Sequence, residues 1–382
     1  MSGQEQTLRA VLVGAGGFGA RTLEAISQCS QLELVALSDR DAGVAQAAGE
    51  RAGVEAYTDN RSLLAEARPD VAFLCVPPHA APDLVAACAE RGIHVWKELP
   101  LARHLAEGVS MVNDMQAAGL KFAVGTQHRF LDSYRHGAEL VDGLGEIFLA
   151  RAHYLFNWGP DLRWRADRAT AGGGALLELA YHPLDLLIWL LGVPEAVFGA
   201  AAQASGKAMR RSGHAAYPPH DTDDTAAAVL RYRSGLTATV VTTRCSGPFS
   251  EELSIHGQGG SLRAPQDSRL LRDPDGQVID QFQQPPLPLQ PFARQVEAFA
   301  AAVAGGAERY ACSAWENLLT LAVIEALYLS QRTGQQENVP ALLNPYRLTP
   351  ADCRRCALPA QPGASRPPEA RSSELPPSPP ED

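Results

Sequence analysis

Short apolar runs alternate with helical patterns over the first third of the chain. The first runs are Leu8–Val13 and Leu32–Leu37, and the clearest later one, Val71–Val76, ends at Pro77-Pro78. Strands that alternate with helices predict βαβ units and therefore a parallel sheet. In such a sheet, ligands bind at the carboxyl ends of the strands. The strand ends that we expect to meet in one crevice are those at Gly14, Asp39, Pro77 and Glu98.

Beyond Gly125 the pattern changes to alternating strand-like runs that are separated by turn residues. Examples are Thr225–Tyr232 and Leu236–Thr243, with Ser234-Gly235 between them. Such runs, with helices before and after them, predict an open and mostly antiparallel sheet. A single apolar helix is expected over Ala175–Leu191.

A glycine pattern lies between the first strand and the helix that follows it. Gly14, Gly16 and Gly19 fit the spacing G-x-G-x-x-G. The first glycine permits a tight turn, the second admits a pyrophosphate, and the third lets the helix pack on the strand. Asp39 ends the second strand about twenty residues later, where a carboxylate accepts hydrogen bonds from an adenosine ribose. This context predicts dinucleotide binding at the helix start, with a glycine turn of some other α/β protein as the alternative.

Asp39 and Arg40 bear on which dinucleotide is bound. A carboxylate repels the 2′-phosphate of NADP, so Asp39 favours NAD, whereas Arg40 beside it keeps NADP possible. We therefore expect NAD as the cofactor, with NADP as the alternative.

The two patterns together predict an α/β chain of two domains. Residues 7–125 are expected to form an NAD(P)-binding Rossmann domain with a parallel sheet, and residues 126–345 an α+β domain for substrate binding and oligomerisation. Several strands of the second domain are small or apolar on both faces, so one face of that sheet needs a cover. A homodimer or homotetramer built face to face would supply it. The tail over 350–382, rich in proline and serine, is expected to be disordered.

Charge and cysteine usage narrow the function further. The chain has 382 residues and a formal net charge of −10, which argues against a nucleic-acid partner. The polar N-terminus and the short apolar runs predict neither a secretory signal nor a membrane span. Seven cysteines, mostly within apolar segments, favour reduced thiols and a cytoplasmic protein. Cys353 and Cys356 form a lone pair without the four ligands of a zinc site, so no metal is expected.

Three ionisable residues lie within the apolar helix predicted over Ala175–Leu191. Glu178, His182 and Asp185 fall at i, i+4 and i+7, which is one helix face. Buried ionisable groups are costly unless they face a polar cavity or one another. A carboxylate neighbour would orient the histidine ring and favour its charged form. We predict a site here, although a satisfied core histidine is the alternative and Pro183 makes the alignment less secure.

Two further groups of polar residues are candidates. Lys97 and Glu98 end the fifth predicted strand, where the crevice should lie, with a solvated charge pair as the alternative. Trp158, Arg163, Trp164 and Arg165 combine aromatic planes with hydrogen-bond donors, as a sugar site would, and the alternative is that they are packing residues. The residues assigned to the substrate are Arg129, Trp164, Arg165 and Asp185.

Taken together, these residues resemble the family of glucose–fructose oxidoreductase, inositol dehydrogenase and the rhizopine-catabolism protein (Gfo/Idh/MocA). The resemblance runs from about Leu8 to Val339. It implies a Rossmann domain, a second domain with an open sheet, bound NAD or NADP, and hydride transfer at a carbinol of a sugar or cyclitol. The motifs that carry it are Val13–Gly19, Val76-Pro77-Pro78, Gly92–Val95, Glu98–Ala102, Gly172–Leu177 with His182, Asp223–Ala227 and Ala322–Tyr328.

The resemblance also implies roles for single residues. His182 would exchange the hydroxyl proton, Glu178 would orient His182, and Glu98 would bind near the nicotinamide ribose. The family's Glu-Lys-Pro motif falls on Glu98-Leu99-Pro100, so that its lysine is replaced by Leu99. Its Asp-x-x-x-His motif begins here with Glu178, which keeps the charge.

Leucine neither donates a hydrogen bond nor carries a charge, so the missing lysine needs a replacement. Pro100 favours an extended Leu99, and alternate residues of an extended chain point the same way. We therefore hypothesise that Lys97 reaches towards the substrate oxygen. The expected catalytic residues are His182, Glu178 and Lys97, and the expected cofactor contacts are Gly14, Gly16, Gly17, Phe18, Gly19, Asp39, Arg40, Val76, Pro77 and Glu98.

The sequence thus predicts an NAD(P)-dependent oxidoreductase that acts on a sugar, polyol or cyclitol. Two alternatives stay open. One is an NAD(P)-binding sensor or regulatory subunit that has lost catalysis together with its lysine. The other is an NAD-dependent glycoside hydrolase of the same family.

Overall fold

The chain forms two sheets, one parallel and one mostly antiparallel. The computed structural model describes residues 7–203, 219–285, 289–306 and 310–349. The tail that is predicted to be disordered over 350–382, with its pair Cys353 and Cys356, lies outside these residues.

Residues 7–125 form a parallel sheet covered by helices on both faces, as the alternating pattern predicts. The strands are β1 (Leu8–Val13), β2 (Leu32–Ser38), β3 (Glu55–Tyr57), β4 (Val71–Leu74), β5 (His94–Lys97) and β6 (Phe122–Val124). The helices are α1 (Phe18–Gln28), α2 (Ala42–Ala52), α3 (Asn60–Ala67), α4 (Ala81–Glu90) and α5 (Leu105–Ala117). The strand order is β3-β2-β1-β4-β5-β6. Because crossover helices join parallel strands, Leu12 and Phe73 in the two central strands are fully buried.

The second sheet contains nine of the described strands and is mostly antiparallel, as predicted. The strands are β7 (Ile147–Asn157), β8 (Ala196–Ala202), β9 (Thr225–Arg231), β10 (Thr237–Thr243), β11 (Cys245–Gly257), β12 (Gly260–Pro265), β13 (Ser268–Arg272), β14 (Val278–Gln283) and β15 (Glu337–Asn338). Their order is β14-β13-β12-β11-β7-β10-β9-β8-β15. Of the neighbouring pairs, only β7 and β10 run parallel.

One face of this second sheet packs on helices, and the other face is open. The inner side chains of Ala238 and Leu253 are buried. On the outer face, Phe198, Val229 and Val241 are 48%, 42% and 45% exposed. This is the face for which the sequence predicts a second copy of the chain, and the oligomeric state stays a prediction.

The helix predicted over Ala175–Leu191 is wrong as a single element. Two helices replace it, α8 (Ala175–Glu178) and α9 (Tyr181–Leu191). Pro183 lies in the first turn of α9, where a helix makes no use of the N–H that proline lacks, so a new helix can start there. No single helix of the described residues is long and apolar enough to cross a membrane. The segments Arg168–Glu178 and Tyr181–Leu191 reach that length and apolarity only together, with a bend of 54° between them.

The remaining helices place the second domain against the first. They are α6 (Asp132–Leu140), α7 (Arg168–Ala171), α10 (Gln290–Ala304), α11 (Ala314–Thr333) and α12 (Val339–Leu343). Phe292, Val296 and Phe299 of α10 pack into the same apolar cluster as Leu12 and Phe73 of the first sheet. Helix α11 packs on both α5 and β8. The crevice at the strand ends is therefore closed on one side by elements of the second domain.

Candidate active site

The turn after β1 leaves no room for side chains at two of its glycines. Gly14 has a φ of +88°, and a Cβ there would lie 2.3 Å from the carbonyl oxygen of Cys75. A Cβ at Gly19 would lie 1.9 Å from the carbonyl oxygen of Gly14. Helix α1 follows Gly17 without a side-chain cap, so its first N–H groups are left for an anion. These residues fit the pyrophosphate of a dinucleotide.

Asp39 holds this turn from the end of β2. Its Oδ2 accepts a hydrogen bond from the N–H of Ala15 at 2.9 Å, and its Oδ1 accepts one from the N–H of Asp41 at 3.0 Å. A Cβ at Gly16 would lie 3.9 Å from Oδ2. The carboxylate therefore borders the space that the glycine turn leaves open.

The ends of β4 and β5 complete this edge of the sheet. The N–H of Cys75 donates to the carbonyl of Val13 at 2.8 Å, which places Val76-Pro77 beside the glycine turn. The N–H of Glu98 donates to the carbonyl of Leu74 at 2.9 Å. The four predicted strand ends therefore meet in one crevice.

The other expected cofactor contacts lie around the same turn. Phe18 is half-buried at the start of α1, with the guanidinium carbon of Arg21 5.4 Å from its ring centroid. Gly17 has a φ of +52°, and a Cβ there would meet nothing within 4 Å. Arg40 is exposed beside Asp39. Their contacts with a cofactor stay predictions.

Lys97 is fully buried and is bound to its own loop. Its Nζ donates to the carbonyl of Glu98 at 2.8 Å and to that of Pro100 at 2.6 Å. Burial lowers the pKa of Lys97 to about 8. These contacts hold the turn after β5 and do not support the hypothesis that the ammonium reaches the substrate, so a catalytic role for Lys97 stays a prediction. The reason is local: Lys97 is the last residue of β5 and points into the core.

Glu98 is the buried acid of this crevice. Its Oε2 is buried and has no hydrogen-bond partner among the described residues. Burial raises the pKa of Glu98 to about 8, and the charges of Glu178 and Arg165 also act on it. A carboxyl group that is partly protonated near neutral pH suits a contact with a hydroxyl group. The electrostatic link to Glu178 and Arg165 connects this side of the crevice with the second domain.

Glu178 binds Arg165 and not His182, which corrects the predicted pairing. The Nε of Arg165 donates to Oε1 of Glu178 at 2.5 Å. The guanidinium carbon lies 4.0 Å from the ring centroid of Trp158 and 4.2 Å from that of Trp164. An arginine held between two indoles and a carboxylate has a single preferred orientation. The helix break between Glu178 and His182 explains why the predicted face does not form.

His182 lies in a stack of aromatic rings. Its ring centroid is 3.9 Å from that of His128, with an angle of 18° between the planes, and 5.4 Å from that of Tyr154. The side chain is buried, and its Nδ1 has no hydrogen-bond partner among the described residues. Burial, and secondly His128, lower the pKa of His182 well below its ordinary value. The expectation that a carboxylate favours the charged ring is therefore wrong, because Glu178 is bound elsewhere.

Asp185 and Arg129 form a buried ion pair. The Nη2 and Nε of Arg129 donate to the two oxygens of Asp185 at 2.6 and 2.7 Å. The Nη1 of Arg129 donates to Glu316 at 3.1 Å. Arg129 and Asp185 are 3% and 1% exposed. Their contacts anchor α9 to α11, and the predicted substrate role of both residues stays a prediction that these contacts do not support.

Four residues around His182 were not predicted from the sequence. Tyr134 donates its Oη to Oε1 of Glu251 at 2.7 Å, and the same oxygen lies 3.1 Å from Nδ1 of His128. Tyr154 is the fourth, paired with Glu251 across β7 and β11. His128 follows the end of β6, so the rule on strand ends could have marked it. The others depend on strand register, which the sequence does not show.

Comparison with known proteins agrees with both domains. Residues 8–126 match the model of the oxidoreductase family with an NAD-binding Rossmann fold, and residues 134–263 match the Gfo/Idh/MocA C-terminal domain. D-xylose 1-dehydrogenase (NADP+) 2 of Haloferax volcanii is 27% identical over 85% of this chain and 97% of that protein. Inositol 2-dehydrogenase of Rhizobium meliloti is 25% identical over 87% of this chain and 99% of that protein.

A solved structure has the same fold. Levoglucosan dehydrogenase, in complex with NADH and levoglucosan, matches with a TM-score of 0.81 at 21% identity, over 88% of this chain and 100% of that chain. The resemblance drawn from the motifs and the expectation of an NAD(P) cofactor are both confirmed. The chain belongs to the Gfo/Idh/MocA family of NAD(P)-dependent oxidoreductases.

Proposed function

We propose that this protein transfers hydride between a nicotinamide cofactor and a carbinol of a sugar, polyol or cyclitol. The observation that carries the proposal is the burial of the His182 imidazole. Burial lowers the pKa of this imidazole well below its ordinary value, so the ring is neutral at physiological pH. A neutral imidazole can accept the proton of a hydroxyl group.

His182 and Glu98 have different proposed roles in the reaction. A nicotinamide cofactor bound at the glycine turn and Glu98 would supply the hydride acceptor for the carbinol carbon. His182 takes the hydroxyl proton, and the C–O bond becomes a carbonyl. In reduction, the protonated ring returns that proton. Glu98, bordering both sides of the crevice, is the residue proposed to contact the nicotinamide ribose.

Arg165 is proposed to bind the substrate. Its Nε is held by Glu178 and its flat faces by Trp158 and Trp164. No acceptor among the described residues binds its two Nη atoms, which are therefore left for oxygen atoms of the substrate. The guanidinium of Arg165 is an important donor here because Leu99, which cannot donate a hydrogen bond, occupies the position of the family's lysine. The substrates named for the relatives, D-xylose and inositol, are polyhydroxylated molecules of a size that one such cluster can orient.

NAD is the proposed cofactor in preference to NADP. The carboxylate of Asp39 borders the open glycine turn, where it would repel a 2′-phosphate. Arg40 beside it is exposed, and the relative from Haloferax volcanii is named for NADP+. The preference therefore rests on Asp39.

The test is a titration of the full chain with NADH and NADPH, followed by cofactor fluorescence. The oxidised cofactor is then mixed with a panel of aldoses, inositols and anhydrosugars, and reduced cofactor is measured by absorbance. The proposal predicts NADH binding and turnover of at least one substrate. It also predicts that His182→Gln lowers kcat by about 100-fold or more while the Kd for NADH stays within about twofold. Equal turnover in His182→Gln would refute the role of His182.

Leu99 favours a second function, that of a sensor which binds the cofactor without turnover. The variant Leu99→Lys separates the two. Turnover in the natural chain supports the oxidoreductase. NADH binding with turnover only in Leu99→Lys supports the sensor.

A further inference from the structure

A second histidine lies face to face with His182. The ring centroids of His128 and His182 are 3.9 Å apart and their planes differ by 18°. Tyr154 stacks beside both rings, 5.9 Å from His128 and 5.4 Å from His182. At such distances a charge on one imidazole acts strongly on the other. A positive charge on one ring therefore disfavours a positive charge on the other.

A buried acid lies beside His128. Oε1 of Glu251 lies 3.1 Å from Nδ1 of His128, a distance at which a carboxylate and an imidazolium form an ion pair. The two side chains are 5% and 3% exposed. The Oη of Tyr134 donates to the same oxygen at 2.7 Å and fixes the carboxylate in place. A carboxylate this deeply buried is costly unless a cation faces it, and the imidazole of His128 is the group within reach.

The acids nearest to His182 along the chain are turned away from it. Glu178 is bound by Arg165, and Asp185 is bound by Arg129. Neither carboxylate stabilises a positive charge on the His182 ring. Against His182 the turn after β6 places His128, β7 places Tyr154 and β11 places Glu251 behind His128. Of these, only the histidine can present a like charge to it.

We propose that His128, which faces the buried carboxylate of Glu251, is a positioning residue that keeps the stacked His182 neutral and so sets the pH range in which the hydroxyl group is oxidised. The proposal rests on the proposed function, in which His182 is the base. The physical cause is repulsion between two stacked imidazolium ions, which disfavours a second proton. It goes together with burial, the larger cause of the lowered pKa of His182, with His128 the second.

The first test measures the protonation of His182 directly and needs no substrate. The full chain is produced with histidine labelled in the ring, and its ring signals are followed by NMR against pH. His182→Gln assigns the signal of His182. In His128→Phe, which keeps a flat ring, and in His128→Gln, which keeps a polar group, the pKa of His182 should rise by at least about one unit.

The control is His256→Gln. His256 lies on β11, as Glu251 does, but outside the ring stack. This variant should leave the titration of His182 unchanged. If neither His128 variant raises the pKa of His182, or if His182 does not titrate above pH 5 in any of the proteins, the proposal is wrong.

The second test uses activity. With a substrate from the panel, kcat for oxidation is measured from pH 5 to pH 10. Each His128 variant should move the acidic limb of the kcat profile to higher pH by about one unit, with up to about tenfold lower kcat at pH values below the pKa of His182. It should keep kcat within about twofold at pH 9. An equal loss at every pH would show a structural role and overturn the proposal.

The two tests distinguish a failure of the proposed function from a failure of the role proposed for His128. No turnover on any substrate would refute the proposed function, while the NMR titration would still decide whether His128 controls the proton of His182.

Discussion

The crevice has a nucleotide side and a substrate side, and different parts of the chain build them. On the nucleotide side, Gly19 and Asp39 contact the backbone of the glycine turn itself, and Gly14 packs against the carbonyl of Cys75 after the neighbouring strand β4. On the substrate side, His182 is placed by ring contacts with His128 and Tyr154 from other elements of the chain, and Arg165 by contacts with Trp158, Trp164 and Glu178. A nucleotide-binding turn is thus formed mainly by residues that are close in sequence, whereas the proton-transfer site is formed by several elements of the second domain.

The difference has an energetic side as well. Replacing a glycine of the turn moves a backbone, which cannot yield locally. Replacing a group of the substrate side changes a charge or a contact, and the fold around it persists. The two sides should therefore respond to mutation in different ways.

The largest effect is expected at the glycine turn. In Gly19→Ala the added Cβ would lie 1.9 Å from the carbonyl oxygen of Gly14. The turn must shift, so we expect the Kd for NADH to rise at least about 100-fold and the melting temperature to fall. Fluorescence titration and thermal unfolding measure both. Gly143→Ala is the control, since a Cβ there meets nothing within 4 Å; a similar loss in that variant would contradict the explanation.

The next effect is on stability and tests the buried pair on the substrate side. Asp185→Asn leaves Arg129 buried with only Glu316 as its acid. We expect the free energy of unfolding to fall by about 3 kcal/mol, with the KM for the substrate unchanged. Urea unfolding measures it. Asp161→Asn, in an ion pair with side chains 77% and 72% exposed, is the control and should cost less than about 0.5 kcal/mol. A raised KM in Asp185→Asn would instead support the predicted substrate role.

A smaller effect is expected when Arg165 is replaced by lysine. Lysine keeps the charge but loses the flat group between Trp158 and Trp164. We expect KM to rise about tenfold and kcat to change less than about threefold. Steady-state kinetics with the identified substrate provide the check. Arg163→Lys, at an exposed side chain two residues away, should change neither constant.

The smallest effect on the crevice is expected from the open sheet face. Phe198→Glu puts a charge among the exposed apolar side chains of β8 and β9. If copies of the chain pair through this face, light scattering should show a lower molar mass, while NADH binding persists. Phe148→Glu is the matched control, because Phe148 is 55% exposed but alternates to the inner side of β7. A monomeric natural chain, or an unchanged mass in Phe198→Glu, would refute the predicted interface.

Much of the nucleotide side could be predicted from the sequence because its determinants are local. The parallel sheet followed from short apolar runs that alternate with helices. The glycine turn followed from three glycines between a strand and a helix, and Asp39 from its distance along the chain. Asp39 and the glycine turn touch one another within one βαβ unit, so spacing along the chain is close to geometry there. The contact of Gly14 with Cys75 follows from the pairing of β1 with β4.

The substrate side could be predicted only in part. Glu178 and Arg165 do lie together, whereas His182 packs on His128 and Tyr154. Pro183 divides the predicted helix, so the spacing of Glu178 and His182 does not place them on one face. The buried Lys97 binds two backbone carbonyls at the end of β5, contacts that its place in the sequence does not indicate.

The sequence by itself determined the family, the nucleotide-binding sheet and the residue types available for proton transfer. Those properties depend on patterns within about thirty residues of one another, the length of a βαβ unit. Only the tertiary structure decided which groups act on His182. Tyr134 and Glu251, 117 positions apart, meet through the packing of α6 on the second sheet, and Arg129 meets Glu316 across 187 positions. Because such contacts follow from strand register and helix packing, no local pattern contains them.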